Sequence, residues 1–207
     1  MTGAVDLSGP VPTALAVAGA ALVGYLLGSI NPAATFARLR RTDLRSVGSG
    51  NPGATNAARA FGLRVGIVVA ILDMLKGFVP TVAFGWLFGP SVAAVAGIAA
   101  VLGHVTSPFL RGRGGKGVAT SLGAVLGFQP VWALPVLAVF ALTIVLTRRM
   151  GVSAVAGCLL LVPCALIWDG TWTDIAFAAA LTVIVVVRHR VNLRDAARVE
   201  DAGPQDA

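Results

Sequence analysis

The chain has 207 residues, of which 57% are hydrophobic and 12% charged, with a mean hydropathy of +0.85 and a formal net charge of +7. So apolar a composition excludes a soluble domain of this length and makes the chain an integral membrane protein. At roughly 20 residues per span the length allows about seven helices, with almost nothing left for a soluble domain.

Residues 1 to 10 hold no basic residue, so they do not read as a cleaved signal peptide, and the first apolar run is expected to stay as a helix. Apolar segments follow at 12 to 37, 63 to 88, 91 to 105, 117 to 128, 130 to 147, 152 to 168 and 172 to 188. The fourth is too short to cross alone and is expected to tilt, to re-enter or to be extended by its flanks. Gly19, Ala20, Gly24 and Gly28 in the first, and Ala93, Ala96, Gly97 and Ala100 in the third, are small residues that let helices approach closely. Asp73 and Lys76 interrupt the second segment three residues apart on one face, where charges at such depth pair with each other; a direct ligand role is the second reading. His104, at the end of the third, is expected to anchor the loop that follows by a hydrogen bond. Cys158 and Cys164 lie six apart on the sixth segment, cannot bridge on a helix and read as packing residues. Together with only two His they make no metal site. The expected architecture is all-α, a single integral-membrane domain over residues 1 to 207 whose last part, 191 to 207, is a short cytoplasmic tail.

All but one of the sixteen Lys and Arg residues, the exception being Lys76, fall in four stretches between the apolar runs. Arg38, Arg40, Arg41, Arg45, Arg59 and Arg64 follow the first; Arg111, Arg113 and Lys116 the third; Arg148 and Arg149 the fifth; Arg188, Arg190, Arg194 and Arg198 the seventh. With seven spans all four groups emerge on one side, which by the positive-inside rule is the cytoplasm, and the N-terminus lies outside. Trp168 and Trp172 suit an interfacial aromatic belt. The net charge follows from this sidedness and implies no nucleic-acid partner.

The cytoplasmic loops hold more than charge. Gly48-Ser49-Gly50-Asn51-Pro52-Gly53-Ala54-Thr55-Asn56 offers Ser49, Asn51, Thr55 and Asn56 as neutral donors on a backbone that can approach a ligand closely, between Arg45 and Arg59. The second loop carries Gly114-Gly115-Lys116-Gly117, whose amides are expected to point at an anion, with Lys116 as a mobile charge and a helix N-terminus behind it. Gly117 follows Lys116 where a nucleotide P-loop needs Ser or Thr, so a nucleoside triphosphate is not supported. After the seventh span come Arg188-His189-Arg190-Val191-Asn192, with His189 and Asn192 three apart on one face if the helix continues. Three such clusters on one side of a helix bundle point to a phosphorylated ligand.

These residues resemble the integral-membrane bacterial acyl-phosphate:glycerol-3-phosphate acyltransferases, the PlsY family, over nearly the whole chain. The likeness is carried by Gly28-Ser29-Ile30, by Gly48-Ser49-Gly50-Asn51 with Gly53-Ala54-Thr55-Asn56 and Arg59, and by Asp73-Met74-Leu75-Lys76-Gly77. Gly103-His104, Phe109-Leu110, Gly114 to Thr120, and Arg188-His189-Arg190 with Asn192 complete it. The resemblance implies transfer of a fatty acyl group from acyl phosphate to the 1-hydroxyl of glycerol 3-phosphate, giving 1-acyl-glycerol 3-phosphate at the inner membrane. It assigns Ser49, Asn51, Thr55, Gly114, Gly115 and Asn192 to the acyl phosphate, and Arg59, Lys116, His189 and Asn192 to glycerol 3-phosphate. Arg45 and Asn56 complete the expected binding set, and Ser49, Lys116 and His189 the catalytic one. Because acyl phosphate is already activated, the expectation includes no cofactor, metal or covalent nucleophile. His189 is the natural side-chain proton acceptor, but a substrate phosphate oxygen could serve, and Arg-rich surroundings disfavour a protonated imidazole. Its first assignment is therefore binding.

The chain departs from the family pattern at Asn31 and Ser107 (proline), Gly112 (phenylalanine), Val191 (glutamate) and Ala156 (the second serine of a stretch that begins here at Ser153). A His-x-x-x-x-Asp dyad, the device of the other large group of glycerolipid acyltransferases, is excluded: the fifth residue after His104 is Phe109 and after His189 is Arg194. The alternatives are a transporter or binding protein for a phosphorylated metabolite, a scaffold for anionic lipid headgroups, or an inactive paralogue. A transporter should place basic groups near mid-membrane. A scaffold would need only Lys and Arg and leaves Asn51, Thr55 and the paired glycines without a purpose.

Overall fold

The structure is a computed structural model that describes the backbone of residues 10–168 and 170–201 and the side chains of residues 13–168 and 170–190. The expected all-helical architecture is found, and the described residues hold no strand. In chain order the helices are α1 (Pro10–Ser29), α2 (Pro32–Leu39), α3 (Ala54–Phe61), α4 (Leu63–Phe88), α5 (Pro90–Thr106), α6 (Val118–Phe128), α7 (Ala133–Thr147), α8 (Met150–Leu159), α9 (Leu161–Trp168) and α10 (Trp172–Asp201). Among the described residues six stretches are long and apolar enough to cross a membrane: Thr13–Leu39, Leu63–Phe88, Pro90–Leu110, Pro130–Thr147, Met150–Trp168 and Trp172–Arg190. Helix α6, with 11 residues, is the short apolar helix expected of the fourth segment. It rises roughly 16 Å, about half of a ~30 Å hydrocarbon core.

The chain forms two compact units, one running to Val131 and the other beginning at Trp132. In the first, α1 packs on α5, and α4 packs on both α5 and α6. Large apolar side chains of α1 are exposed (Leu15 68%, Leu22 60%), whereas Ala16 and Ala20 are buried. That inverted arrangement suits a lipid surround, where apolar bulk gains nothing by turning inward and helices associate through close van der Waals packing. The small residues expected at these faces are the ones that meet. A Cβ on Gly24 would overlap the Ala96 carbonyl and one on Gly28 the Ala100 carbonyl, while Gly103 admits the Tyr25 carbonyl. Helices α4 and α6 cross in the same way, Gly77 against Thr120 and Gly123 against Met74.

The first span is broken. Asn31 caps α2, its Oδ1 accepting from the Ala34 amide at 2.8 Å, and Pro32 opens the helix at a position where a missing N–H costs nothing. Continuous helix had been expected there, because apolar periodicity passes over a polar cap. In the second unit, α8 and α10 pack together, α7 on α8 and α9 on α10. The Met150–Trp168 span breaks at Leu160 because Pro163 cannot donate to the Leu159 carbonyl and its ring crowds that turn. The Thr182 hydroxyl of α10 lies 2.8 Å from the Cys158 carbonyl at this break.

Candidate active site

The first loop is shaped by short-range caps and one buried carboxamide. Asp43 caps the 3-10 turn Leu44–Ser46, accepting from the Arg45 amide at 2.9 Å. Gly48 and Gly50 take φ of +52° and +65°, a left-handed backbone that favours glycine. Asn56, on α3, is buried beneath them. Its Nδ2 donates to the Leu44 carbonyl at 3.0 Å and its Oδ1 accepts from the Ser49 amide at 3.2 Å. This corrects the expectation that Asn56 offers its amide to a ligand: its two ends brace the loop from inside. A Cβ on Gly48 would lie 2.6 Å from Asn56 Oδ1 and 3.2 Å from Arg59 Cδ, so Arg59 lies directly against the turn. Ser49, Thr55, Arg45 and Arg59 are exposed, and Asn51 is half-buried.

The second loop folds back along the end of α5. The Gly114 amide donates to the Val105 carbonyl at 3.2 Å and the Gly115 amide to the His104 carbonyl at 3.1 Å. The expectation that these two amides face an anion is therefore corrected. A side chain on Gly114 would meet the His104 backbone, and one on Gly115 would overlap the imidazole Nε2, so both are glycine because His104 lies against them. What the turn delivers is Lys116, half-buried, followed by the first-turn amides of α6 after the cap at Gly117. Those amides have no intrahelical partner and carry the partial positive end of the helix. The two loops meet directly, the Arg45 guanidinium donating to the Arg113 carbonyl at 3.4 Å.

Behind the second loop is a buried polar cluster. Lys76 Nζ lies 2.8 Å from Asp73 Oδ1, and His104 Nδ1 lies 3.4 Å from the same oxygen. Lys76 also donates to the Ile30 carbonyl at 2.7 Å, at the break between α1 and α2. The expected ion pair is thus present, and His104 braces the second loop through its backbone as well as its ring. Beside the same break is an open apolar groove of about 540 Å³, lined by Leu27, Ile30, Pro32, Thr35, Phe36, Leu72, Leu75, Lys76 and Val79.

In the second unit α10 does continue past the seventh apolar segment, so His189 and Asn192 sit three apart on one helix; the Asn192 side chain is outside the described residues. His189 is buried, its Nδ1 lying 2.9 Å from the Val185 carbonyl. A carbonyl can only accept, so Nδ1 carries a hydrogen in this contact.

The sequence matches the glycerol-3-phosphate acyltransferase family over residues 18–198. A relative of that name from Thermoanaerobacter sp. (strain X514) is 39% identical over 176 residues, 84% of this chain and 88% of its own. Another, from Pseudomonas syringae pv. tomato (strain ATCC BAA-871 / DC3000), is 40% identical over 177 residues, 84% of this chain and 91% of its own. The crystal structure of PlsY, an integral membrane glycerol 3-phosphate acyltransferase, in its glycerol 3-phosphate form superposes with a TM-score of 0.85 at 34% identity, covering 88% of this chain and 92% of that one. Its lysophosphatidic acid form gives 0.83 at 32%. The chain belongs to the glycerol-3-phosphate acyltransferase family.

For a member of this family, the departures noted in the sequence have definite places. Asn31 Nδ2 donates to the Pro52 carbonyl at 2.9 Å and Ser107 Oγ to the Ser29 carbonyl at 2.7 Å, both buried. These two ties were missed because each joins residues far apart in the chain. The only local hint was the Asn-Pro pair, which reads as a helix start. Gly112 has φ of +75° and open space around it. Ser153 is buried and donates to the Arg149 carbonyl at 3.0 Å, and Ala156 is half-buried on the same helix. Val191 lies outside the described side chains.

Proposed function

We propose that this chain transfers a fatty acyl group from acyl phosphate to the 1-hydroxyl of glycerol 3-phosphate, releasing 1-acyl-glycerol 3-phosphate and inorganic phosphate for phospholipid synthesis. The observation that carries the reading is the direct contact of two glycine-rich basic loops, Arg45 to Arg113, in a family of glycerol-3-phosphate acyltransferases. Both substrates are anionic, and guanidinium, ammonium and helix-end amides bind phosphate and stabilise it as it departs. Ser49, Asn51 and Thr55 with Gly114 and Gly115 hold the acyl phosphate, the glycines by letting the turn close. Arg59 and Lys116 hold glycerol 3-phosphate, and the resemblance adds His189 and Asn192 to the set. The acyl carbon gains a bond to the glycerol oxygen and loses its bond to the phosphate oxygen, and the hydroxyl proton passes to phosphate or to His189. Orientation of two bound reactants supplies much of the rate.

The open apolar groove beside the break in the first span supports a place for the acyl tail. The whole chain acts as one acyltransferase domain in the bacterial inner membrane, with its N-terminus outside and its basic loops and C-terminus in the cytoplasm. Apart from Lys76, the basic residues keep to the loops, to the short helices and helix ends around the first loop, and to the part of α10 from Arg188 onward, beyond its apolar run, which argues against a transporter. Purified protein supplied with palmitoyl phosphate and labelled glycerol 3-phosphate is expected to make lysophosphatidic acid, and Lys116→Ala and Arg59→Ala to abolish turnover while the protein stays folded. Absence of turnover in the parent overturns the proposal.

A further inference from the structure

Three successive residues at the break in the first span, Ser29, Ile30 and Asn31, receive ties from three distant parts of the chain. Breaking a helix inside a membrane leaves carbonyls without intrahelical partners, and they must find others. The Ser29 carbonyl accepts from Ser107 Oγ at 2.7 Å, at the residue where the second loop leaves α5. The Ile30 carbonyl accepts from Lys76 Nζ at 2.7 Å, and Lys76 leads through Asp73 to His104, whose carbonyl holds the Gly115 amide. Asn31 donates to the Pro52 carbonyl at 2.9 Å, in the middle of the first loop. Ser29, Asn31 and Ser107 are buried, so the Ser107 and Asn31 ties are shielded from competing water, while the Lys76 tie to Ile30 is exposed and is anchored behind by the buried Asp73 and His104.

One tie runs directly to the second loop, one reaches it from α4 through Asp73 and His104, and one runs to the first loop, all ending within one turn of backbone. We propose that Ser29–Ile30–Asn31 is the common mount that fixes the separation of the two substrate loops, with Asn31, Ser107 and Lys76 as positioning residues for acyl transfer. The inference rests on the acyltransferase reading. Each loop keeps a brace outside the mount, Asn56 in the first and, in the second, the Gly114 amide bond to the Val105 carbonyl of α5. Loss of the mount therefore leaves each phosphate site formed and misplaces one reactant against the other. A misplacement of ~1 Å costs on the order of a hundredfold in rate.

Asn31→Asp keeps the oxygen that caps α2 and removes the donor to Pro52. Ser107→Ala removes the hydroxyl, and Ser107→Thr retains one. With palmitoyl phosphate and glycerol 3-phosphate, Asn31→Asp and Ser107→Ala are expected to lower kcat by about tenfold or more, with both KM values within about twofold of the parent. Their thermal midpoints in detergent should be close to parental, and Ser107→Thr should restore kcat. The proposal is overturned if either variant keeps parental kcat, or if the loss falls on KM or follows the thermal midpoint, the pattern of a purely structural tie. Should Asn31→Asp not fold, the Ser107 pair decides on the same terms. A second readout does not need turnover: spin labels at positions 46 and 111, in a Cys158→Ala/Cys164→Ala background, should show a broadened or shifted separation in Ser107→Ala. An unchanged separation overturns the mount. A parent that turns over no substrate defeats the acyltransferase reading instead.

Discussion

Asn56→Ala tests how the first loop is held. The carboxamide makes two bonds inside the loop, to the Leu44 carbonyl at 3.0 Å and from the Ser49 amide at 3.2 Å, and alanine removes both. At about 0.5–1.5 kcal/mol net for each, the loop loses about 1–3 kcal/mol against its open forms. A factor of ten corresponds to ~1.4 kcal/mol, so the fraction of molecules with a formed loop falls by about 5- to 150-fold at most. Apparent affinity falls with that fraction, while saturating ligand restores the loop. The expected result is a KM for palmitoyl phosphate raised within that range, with kcat within about threefold of the parent and the helices still folded by circular dichroism. A KM within twofold in a folded variant would refute the inference that Asn56 sets the loop, and a collapse of kcat at an unchanged KM would place Asn56 among the reacting groups instead.

Other expectations follow from the same geometry. Gly115→Ala drives a methyl into the His104 imidazole and should lower activity at least about tenfold, whereas Gly115→Ala in a His104→Ala background should lose little beyond the His104→Ala loss itself, a double-mutant cycle read in the same assay. Lys76→Met alone removes the ammonium from the buried Asp73 carboxylate, leaving it to His104 at 3.4 Å, and should destabilise the protein by up to about 3–5 kcal/mol. Asp73→Asn/Lys76→Met, which leaves no uncompensated charge, should recover most of that loss in thermal unfolding in detergent, and a double variant as unstable as the single would contradict the pairing. Gly28→Leu places bulk where the Ala100 carbonyl lies and should prevent α1 from docking on α5, seen as loss of folded protein on size exclusion.

Much of this was legible in the sequence because the signals were local. The run from 63 to 88 coincides with α4, its ends marked by glycines at Gly62 and Gly89. Gly24, Gly28, Ala96 and Ala100 declared a close-packed face by size alone, and Asp73 and Lys76 declared a pair by spacing and depth. What was hidden is where polar groups at a distance find each other. Asn56 looked like a donor for a ligand because side-chain chemistry does not show direction, and only the fold reveals that its two ends reach Leu44 and Ser49. Gly114 and Gly115 looked like an amide cradle, but the chain doubles back on α5 and uses those amides, leaving Lys116 and the start of α6 in front. The break at Asn31 was hidden by an apolar run that continues on either side of it, and its ties to Pro52, Lys76 and Ser107 join parts of the chain that no periodicity relates.

On the proposed mechanism the two loops carry out acyl transfer from acyl phosphate. Its most direct test offers purified protein equal concentrations of palmitoyl phosphate and palmitoyl-coenzyme A, each with a distinct isotopic label in the acyl chain, together with glycerol 3-phosphate. Lysophosphatidic acid carrying only the label of the acyl phosphate, with one inorganic phosphate released per product and none formed by Lys116→Ala, is the result expected. Product labelled from the thioester, or equal product from Lys116→Ala, would contradict it.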